Sequence, residues 1–376
     1  MDNLAHSLVG LTLAKGGLER VSPYATTVCV VAANAPDVDV LTRLRGPWFA
    51  LEHHRGITHS IVGTLTLGVL LPLICFALER IAARVRQSKP RIRLPGLIVV
   101  SVIACATHPL LDWLNSYGIR PFLPWSGRWY YGDVLFIFDP WLWLLLGAAA
   151  FLLTAQGRWR VGAWSALALV VTAAFLFLTQ RTAWSFAALA IWFVGLSVIV
   201  WAHHARFAAR FGARVAHVAL ALAVCYIVAL ALIHTRAFTQ ATSAATEMAR
   251  AHEETLLRVA TMPTEADPTN WLTIAETDRA NYRFQVRVPA HEAMNIQQAA
   301  RFEKPQGTDA AQVERAEQDA RAQIFLGFAR FPVMRVQTGE RGESLVRFAD
   351  LRFGTPDTRT PVRGFALDVS VPSAGQ

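Results

Sequence analysis

The chain has 376 residues, 53% of them hydrophobic and 17% charged, with a formal net charge of +9. Soluble domains carry about 25% charged residues, so this composition excludes one average soluble enzyme and fits a membrane protein. Residues 1–235 hold 19 of the 36 Lys and Arg residues but only 9 of the 27 Asp and Glu residues. The positive excess therefore lies in the apolar part, not in a soluble basic module of the kind that binds nucleic acid, and no nucleic-acid partner is expected.

In chain order, two short apolar stretches come first, 4–14 and 21–35, on either side of the polar turn 15–20. They read as a helical hairpin, tilted or only partly inserted. The first residues include Asp2, Asn3 and His6 with no basic cluster, so no cleavable signal peptide is expected. Six runs of about 17–22 residues almost free of charge follow, each long enough for a transmembrane helix: 57–78, 94–111, 140–156, 161–180, 182–202 and 215–233. The fold expected for 1–235 is thus an all-α polytopic membrane domain of six long spans plus the hairpin. Residues 236–376 read as a small α+β soluble domain. Within it, 241–261 and 309–328 are expected helical. Strands are expected where Tyr282, Phe284, Val286 and Val288 alternate with polar residues, at 331–337 and 344–353, and along Phe365, Leu367, Val369 and Val371.

Arginine and lysine placement sets orientation. Basic residues cluster after the first long span (Arg80 to Arg93), after 156 (Arg158, Arg160) and after 202 (Arg206, Arg210, Arg214). These loops alternate along the chain, so all three can be cytoplasmic. The C-terminal domain is then expected outside a bacterial inner membrane. Cys29, Cys75, Cys105 and Cys225 lie in apolar segments without a CxxC spacing, which supports neither disulfides nor thiolate metal sites.

Ionisable groups in or beside apolar spans are costly and mark functional sites. Four segments concentrate them: Ala5-His6-Ser7, Pro36-Asp37-Val38-Asp39, His54-Arg55-Gly56-Ile57-Thr58-His59-Ser60 and His108-Pro109-Leu110-Leu111-Asp112. The topology puts all four on the outer side. His6, Asp37, Asp39, His54, His59, His108 and Asp112 offer four imidazoles and three carboxylates, more than one four-coordinate ion needs. A divalent metal is expected, Zn with Mn or Fe as alternatives, as one or two ions. Two ions stabilise both oxygens of an in-line displacement, and phosphoester hydrolysis fits best. Arg55 is expected to hold either a phosphoryl oxygen or a carboxylate next to the metal ligands. Glu52, His53, Asp133 and Asp139 are near enough in topology to join, and Asp139 is carried with Arg55 as a catalytic residue. His203, His204, His217 and His234 lack acidic companions.

With these residues in hand, the chain resembles the YdjM-like family of predicted membrane-bound metal-dependent hydrolases. The resemblance rests on Met1 to Gly10, Ala35 to Asp39, His54 to Ser60 and His108 to Asp112, with further likeness from Tyr130 to Trp141, and it covers roughly residues 1–235. One departure is Ala5, where the family pattern has Thr. The resemblance implies a membrane-embedded hydrolase, and its order of motifs is distantly similar to zinc-dependent phospholipase C. The expected substrate is a phospholipid or other lipid-linked phosphoester. The alternatives are a metal transporter, or a scaffold with a structural metal whose C-terminal domain binds a protein partner.

Overall fold

The computed structural model describes residues 1–179, 186–265, 267–289, 299–338, 344–356 and 365–372. The chain divides into two compact units. The first comprises Met1–Val38, Ile57–Leu230 and Glu265–Asp267; the second comprises Asp39–Gly56, Ala231–Thr264 and Pro268–Gln376.

The first unit is helical. The expected hairpin is α1 (Asn3–Lys15) and α2 (Ala25–Asn34), with Asp2 capping α1 by accepting from the Ala5 N–H. The two helices cross tightly because Gly10 has no side chain: a Cβ there would stand 2.7 Å from the Cys29 carbonyl oxygen. Next come α4 (Ile61–Val85) and α5 (Leu94–Trp113), an antiparallel pair. Gly68 lets them approach, since a Cβ there would meet the Val102 Cα at 3.0 Å. Small residues of α2 (Ala25, Cys29, Ala32, Ala33) and of α5 (Ala104, Cys105) form a shared buried cluster with Leu97 and Val100. Small side chains at such crossings let membrane helices pack closely.

Beyond them lie α6 (Pro140–Thr154), α7 (Arg158–Thr179), α8 (Phe186–His204), the short α9 (Phe207–Phe211) and α10 (Arg214–Ala251). Among the described residues, five helices are long and apolar enough to cross a membrane: α4, α5, α7, α8 and α10. Of the six expected runs, one falls short of that length. The run 140–156 forms a helix of only 15 residues, about 22 Å at 1.5 Å per residue, against a hydrocarbon core of about 30 Å. Asp139 and Pro140 start it abruptly, and it stops at Thr154 with Ala155 as its C-cap.

A second correction concerns α10. The expected span 215–233 and the expected helix from 241 are one helix, which stops at Ala251, and the last part of 241–261 is a strand instead. Loss of hydrophobicity after His234 does not break a helix. Glu253, at φ 54°, follows its end.

In the second unit, β1 (Leu256–Pro263), β2 (Asn270–Thr277), β3 (Ala280–Arg287) and β4 (Ala300–Glu303) form an antiparallel sheet in that order. Ala241, Ala245 and Met248 of α10 cover Tyr282, Phe284 and Val286 on one of its faces. A separate antiparallel sheet holds β5 (Pro332–Thr338), β6 (Ser344–Asp350) and β7 (Ala366–Val371). Its cover is α11 (Gly307–Ala316) and α12 (Ala320–Phe328). A third cluster, including Met262, Ile274, Phe331, Val333 and Leu351, joins strands of both sheets. The expected helix 309–328 is two helices, interrupted at 317–319 where Asp319 caps α12. Into the core under β5–β7 also packs Trp48 of α3 (Pro47–His53), a helix from far earlier in the chain.

Candidate metal centre

Three elements of the first unit bring four ligand groups to one point. His108 and Asp112 lie one turn apart on α5, so they share a face; Pro109 between them leaves the helix continuous to Trp113. His59 closes the 3-10 turn Ile57–His59 just before α4. Ser60 holds that junction, donating to the Ile57 carbonyl at 2.8 Å and accepting from the Gly63 N–H at 3.1 Å. Asp37 sits in the 3-10 stretch Ala35–Arg45 that continues from α2, and Asn3 donates to its Oδ2 at 2.8 Å.

The ligand atoms of Asp37, His59, His108 and Asp112 all lie within 4.8 Å of one another. His59 Nε2 is 3.2 Å from His108 Nε2, 3.5 Å from Asp37 Oδ1 and 3.4 Å from Asp112 Oδ2. His108 Nε2 is 3.4 Å from Asp37 Oδ1 and 3.6 Å from Asp112 Oδ2. These five separations, 3.2–3.6 Å, are five of the six edges of a four-cornered set whose atoms all lie within 4.8 Å of one another. An edge of about 3.4 Å puts the corners about 2.1 Å from the centre, the bond length of a zinc-type ion to imidazole and carboxylate.

The tautomers favour the same reading. His108 Nδ1 is 2.7 Å from the Ala33 carbonyl. A carbonyl only accepts, so Nδ1 carries the proton and Nε2 is free to ligate. Two imidazolium N–H groups cannot face each other at 3.2 Å, so at least one of the two Nε2 atoms is unprotonated and able to ligate. One central cation satisfies all four atoms. Burial works against ionising Asp37, but the adjoining His108 and His59 imidazoles outweigh it and hold its carboxyl below the usual range. Asp37 is therefore anionic at neutral pH.

His6 stands against this set. Its fully buried ring stacks on His108 with centroids 3.7 Å apart. Neither ring nitrogen has a hydrogen-bond partner in good geometry, yet Nε2 lies 3.4 Å from Asp112 Oδ1. The Met1 amine donates to the same oxygen. Asp112 thus turns Oδ2 toward His59 and His108, and Oδ1 toward His6.

The other expected site residues are not part of that four-residue group. Asp39, His54 and Arg55 belong to the second unit. There the Asp39 carboxylate meets both ends of one loop: His54 Nδ1 is 3.1 Å from Oδ1, and the Arg55 N–H donates to Oδ2 at 2.8 Å. Arg55 is buried at φ 51°. Asp139 is outside the four-residue group. It caps α6 through the Leu142 N–H at 2.9 Å and accepts from the Tyr226 hydroxyl at 2.9 Å. Burial pushes its carboxyl up to about 6 in spite of these bonds. His217 faces the Gly16 carbonyl at 2.6 Å and His234 the Thr261 carbonyl at 2.9 Å. The sequence reading missed Asn3 and the Ala33 carbonyl. Asn3 was within reach, since it lies three residues before His6 on the same helix face; a backbone acceptor carries no residue-type signal.

The model of the YdjM inner membrane protein family matches residues 1–183, which contain all four converging ligands and His6. Over these residues the chain is similar to that family; the match covers just under half of the chain's length. The matched segment spans α1 to α7, while most of the second unit lies outside it. The chain is also similar to "Uncharacterized protein YfhP" of Bacillus subtilis (strain 168), 26% identical over 154 residues. That match covers 38% of this chain and 43% of the relative, so it spans less than half of that protein's length. No solved structure matches the chain.

Proposed function

We propose that the matched segment is a membrane-embedded, metal-dependent hydrolase acting on a phospholipid or other lipid-linked phosphoester at the outer membrane face. The observation that carries the reading is the convergence of Asp37, His59, His108 and Asp112 within 4.8 Å of one another, beside the unsatisfied His6. Mixed imidazole and carboxylate ligands suit Zn, with Mn or Fe as alternatives. When bound, the ion supplies Lewis-acid activation of water and of a phosphoryl oxygen. His108 is held in its ligating tautomer by Ala33, and Asp37 is oriented by Asn3. The second oxygen of Asp112, with His6, offers a place for a second ion. Asp139, whose carboxyl burial raises to about 6, is assigned to proton transfer near neutral pH.

Metal analysis of the detergent-purified full chain, followed by a phosphodiester and lipid panel, tests this directly. The parent chain is expected to carry stoichiometric metal and to hydrolyse a phosphodiester. Asp37→Ala combined with His59→Ala is expected to lose both while still inserting into membranes. Full metal content in that double variant would overturn the site. Metal flux in proteoliposomes without hydrolysis would instead favour a transporter.

A further inference from the structure

Between α5 and α6, residues 114–139 form a loop that is tied back to both ligand-bearing segments. The Ile61 N–H, two residues after His59, donates to the Pro121 carbonyl at 3.0 Å. The Gly132 N–H donates to the carbonyl of Trp113, the residue after Asp112, at 2.7 Å. Ile119 and Tyr130 exchange backbone hydrogen bonds of 3.0 and 2.9 Å, which closes the loop into a hairpin. At its tip the Trp125 and Ser126 N–H groups both donate to Phe122 at 3.0 Å, a tight turn.

The composition of this loop is unusual. Residues 113–143 hold 11 of the chain's 39 Phe, Trp and Tyr residues. At the tip, Trp125 is 78% exposed and Phe122 44%. Behind the tip, the Arg120 guanidinium lies 4.6 Å over the Trp129 ring and that of Arg128 5.4 Å over Tyr130. The exposed apolar surface continues onto the adjoining spans through Ile61, Leu110 and Trp113. Those helices face lipid, so lipid is also what meets the loop where they end. Tryptophan, tyrosine and snorkelling arginine together are the chemistry of the headgroup layer.

We infer that this hairpin is a lipid-headgroup dock, in which Phe122 and Trp125 enter the bilayer below the headgroups while the exposed Arg128 faces the phosphodiester of a glycerophospholipid. The tethers at Ile61 and Trp113 place the docked headgroup beside the metal centre. Delivery of that lipid for cleavage rests on the hydrolase reading; docking itself does not.

The test uses the full chain in nanodiscs of phosphatidylcholine and phosphatidylglycerol. Trp125→Cys, in a background with Cys75→Ser and Cys225→Ser, carries a bimane fluorophore. A nitroxide lipid labelled near the headgroup end of its acyl chain is expected to quench most of the emission. Unquenched bimane overturns the dock, as does shielding that appears only when two copies associate. In a second arm, Phe122→Ala with Trp125→Ala is expected to raise the ratio of KM for a vesicle phosphodiester lipid to KM for a water-soluble phosphodiester by about tenfold. An unchanged ratio overturns the delivery role. If the parent chain hydrolyses neither substrate, the hydrolase reading fails while the quenching result still decides the dock.

Discussion

His108 is set by its neighbours on two helices. Its Nδ1 depends on the Ala33 carbonyl, and Ala33 stands against Gly10, where an added Cβ would come within 3.0 Å of the Ala33 Cβ. Gly10→Ala is therefore expected to part α1 from α2, destabilise the hairpin by about 1–3 kcal/mol and weaken metal binding together with it. Metal titration and thermal melting of the variant check both. His6→Ala removes a buried imidazole that no hydrogen bond secures in good geometry. It is expected to lower metal affinity about 10–100-fold, whereas unchanged affinity would remove His6 from the site. Asp139 has a folded-state value of about 6, raised above its unfolded value of about 3.9. The stabilisation linked to this shift is complete below pH about 4 and is lost as pH rises through about 6. Asp139→Asn keeps the cap without the charge. It is expected to melt with the parent below pH 4 and above it at pH 8, by at most about 3 kcal/mol. Identical pH profiles would refute the assignment.

At the scale of elements, the loop 39–56 is closed at its base by Asp39, and its helix α3 is seated on α12 with Trp48 in the core under β5–β7. Two expected ligands, Asp39 and His54, thus have a structural occupation that chain spacing alone does not reveal. Trp48→Ala is expected to cost the second unit about 2 kcal/mol of apolar burial and to expose 39–56 to limited proteolysis. Resistance equal to the parent would show that Trp48 does not anchor the loop. Strands with one buried face were legible: β3 alternates buried Tyr282, Phe284 and Val286 with polar residues. β2 was not legible. It lies between β1 and β3 and buries five of its eight residues, including Thr273 and Thr277, so its pattern lacks a clean period of two.

For the whole molecule, the length of α6 decides the topology. The Arg-rich loops before α5 and after α6 share a side only if the 15-residue α6 crosses the bilayer along with α5, which requires local thinning or help from flanking residues. We expect that it does cross, and that the second unit is extracytoplasmic. Single cysteines at Gln87, Arg158 and Gln318 should then react with a membrane-impermeant reagent only at Gln318 in right-side-out cells. Labelling at Arg158 but not at Gln87 would show that α6 does not cross.

The sequence alone determined the membrane class, the hairpin, the lipid-facing runs and the segments bearing the ligands. It could do so because long charge-free runs and polar groups near lipid are costly exceptions that stand out residue by residue. Only the tertiary structure decided which of seven expected ligands converge. Convergence depends on helix crossings at Gly10 and Gly68, on a backbone carbonyl at Ala33 and on a turn held by Ser60. It also decided that Asp39 and His54 meet each other in a loop anchored on residues nearly 300 positions later in the chain, a long-range packing that no local pattern encodes.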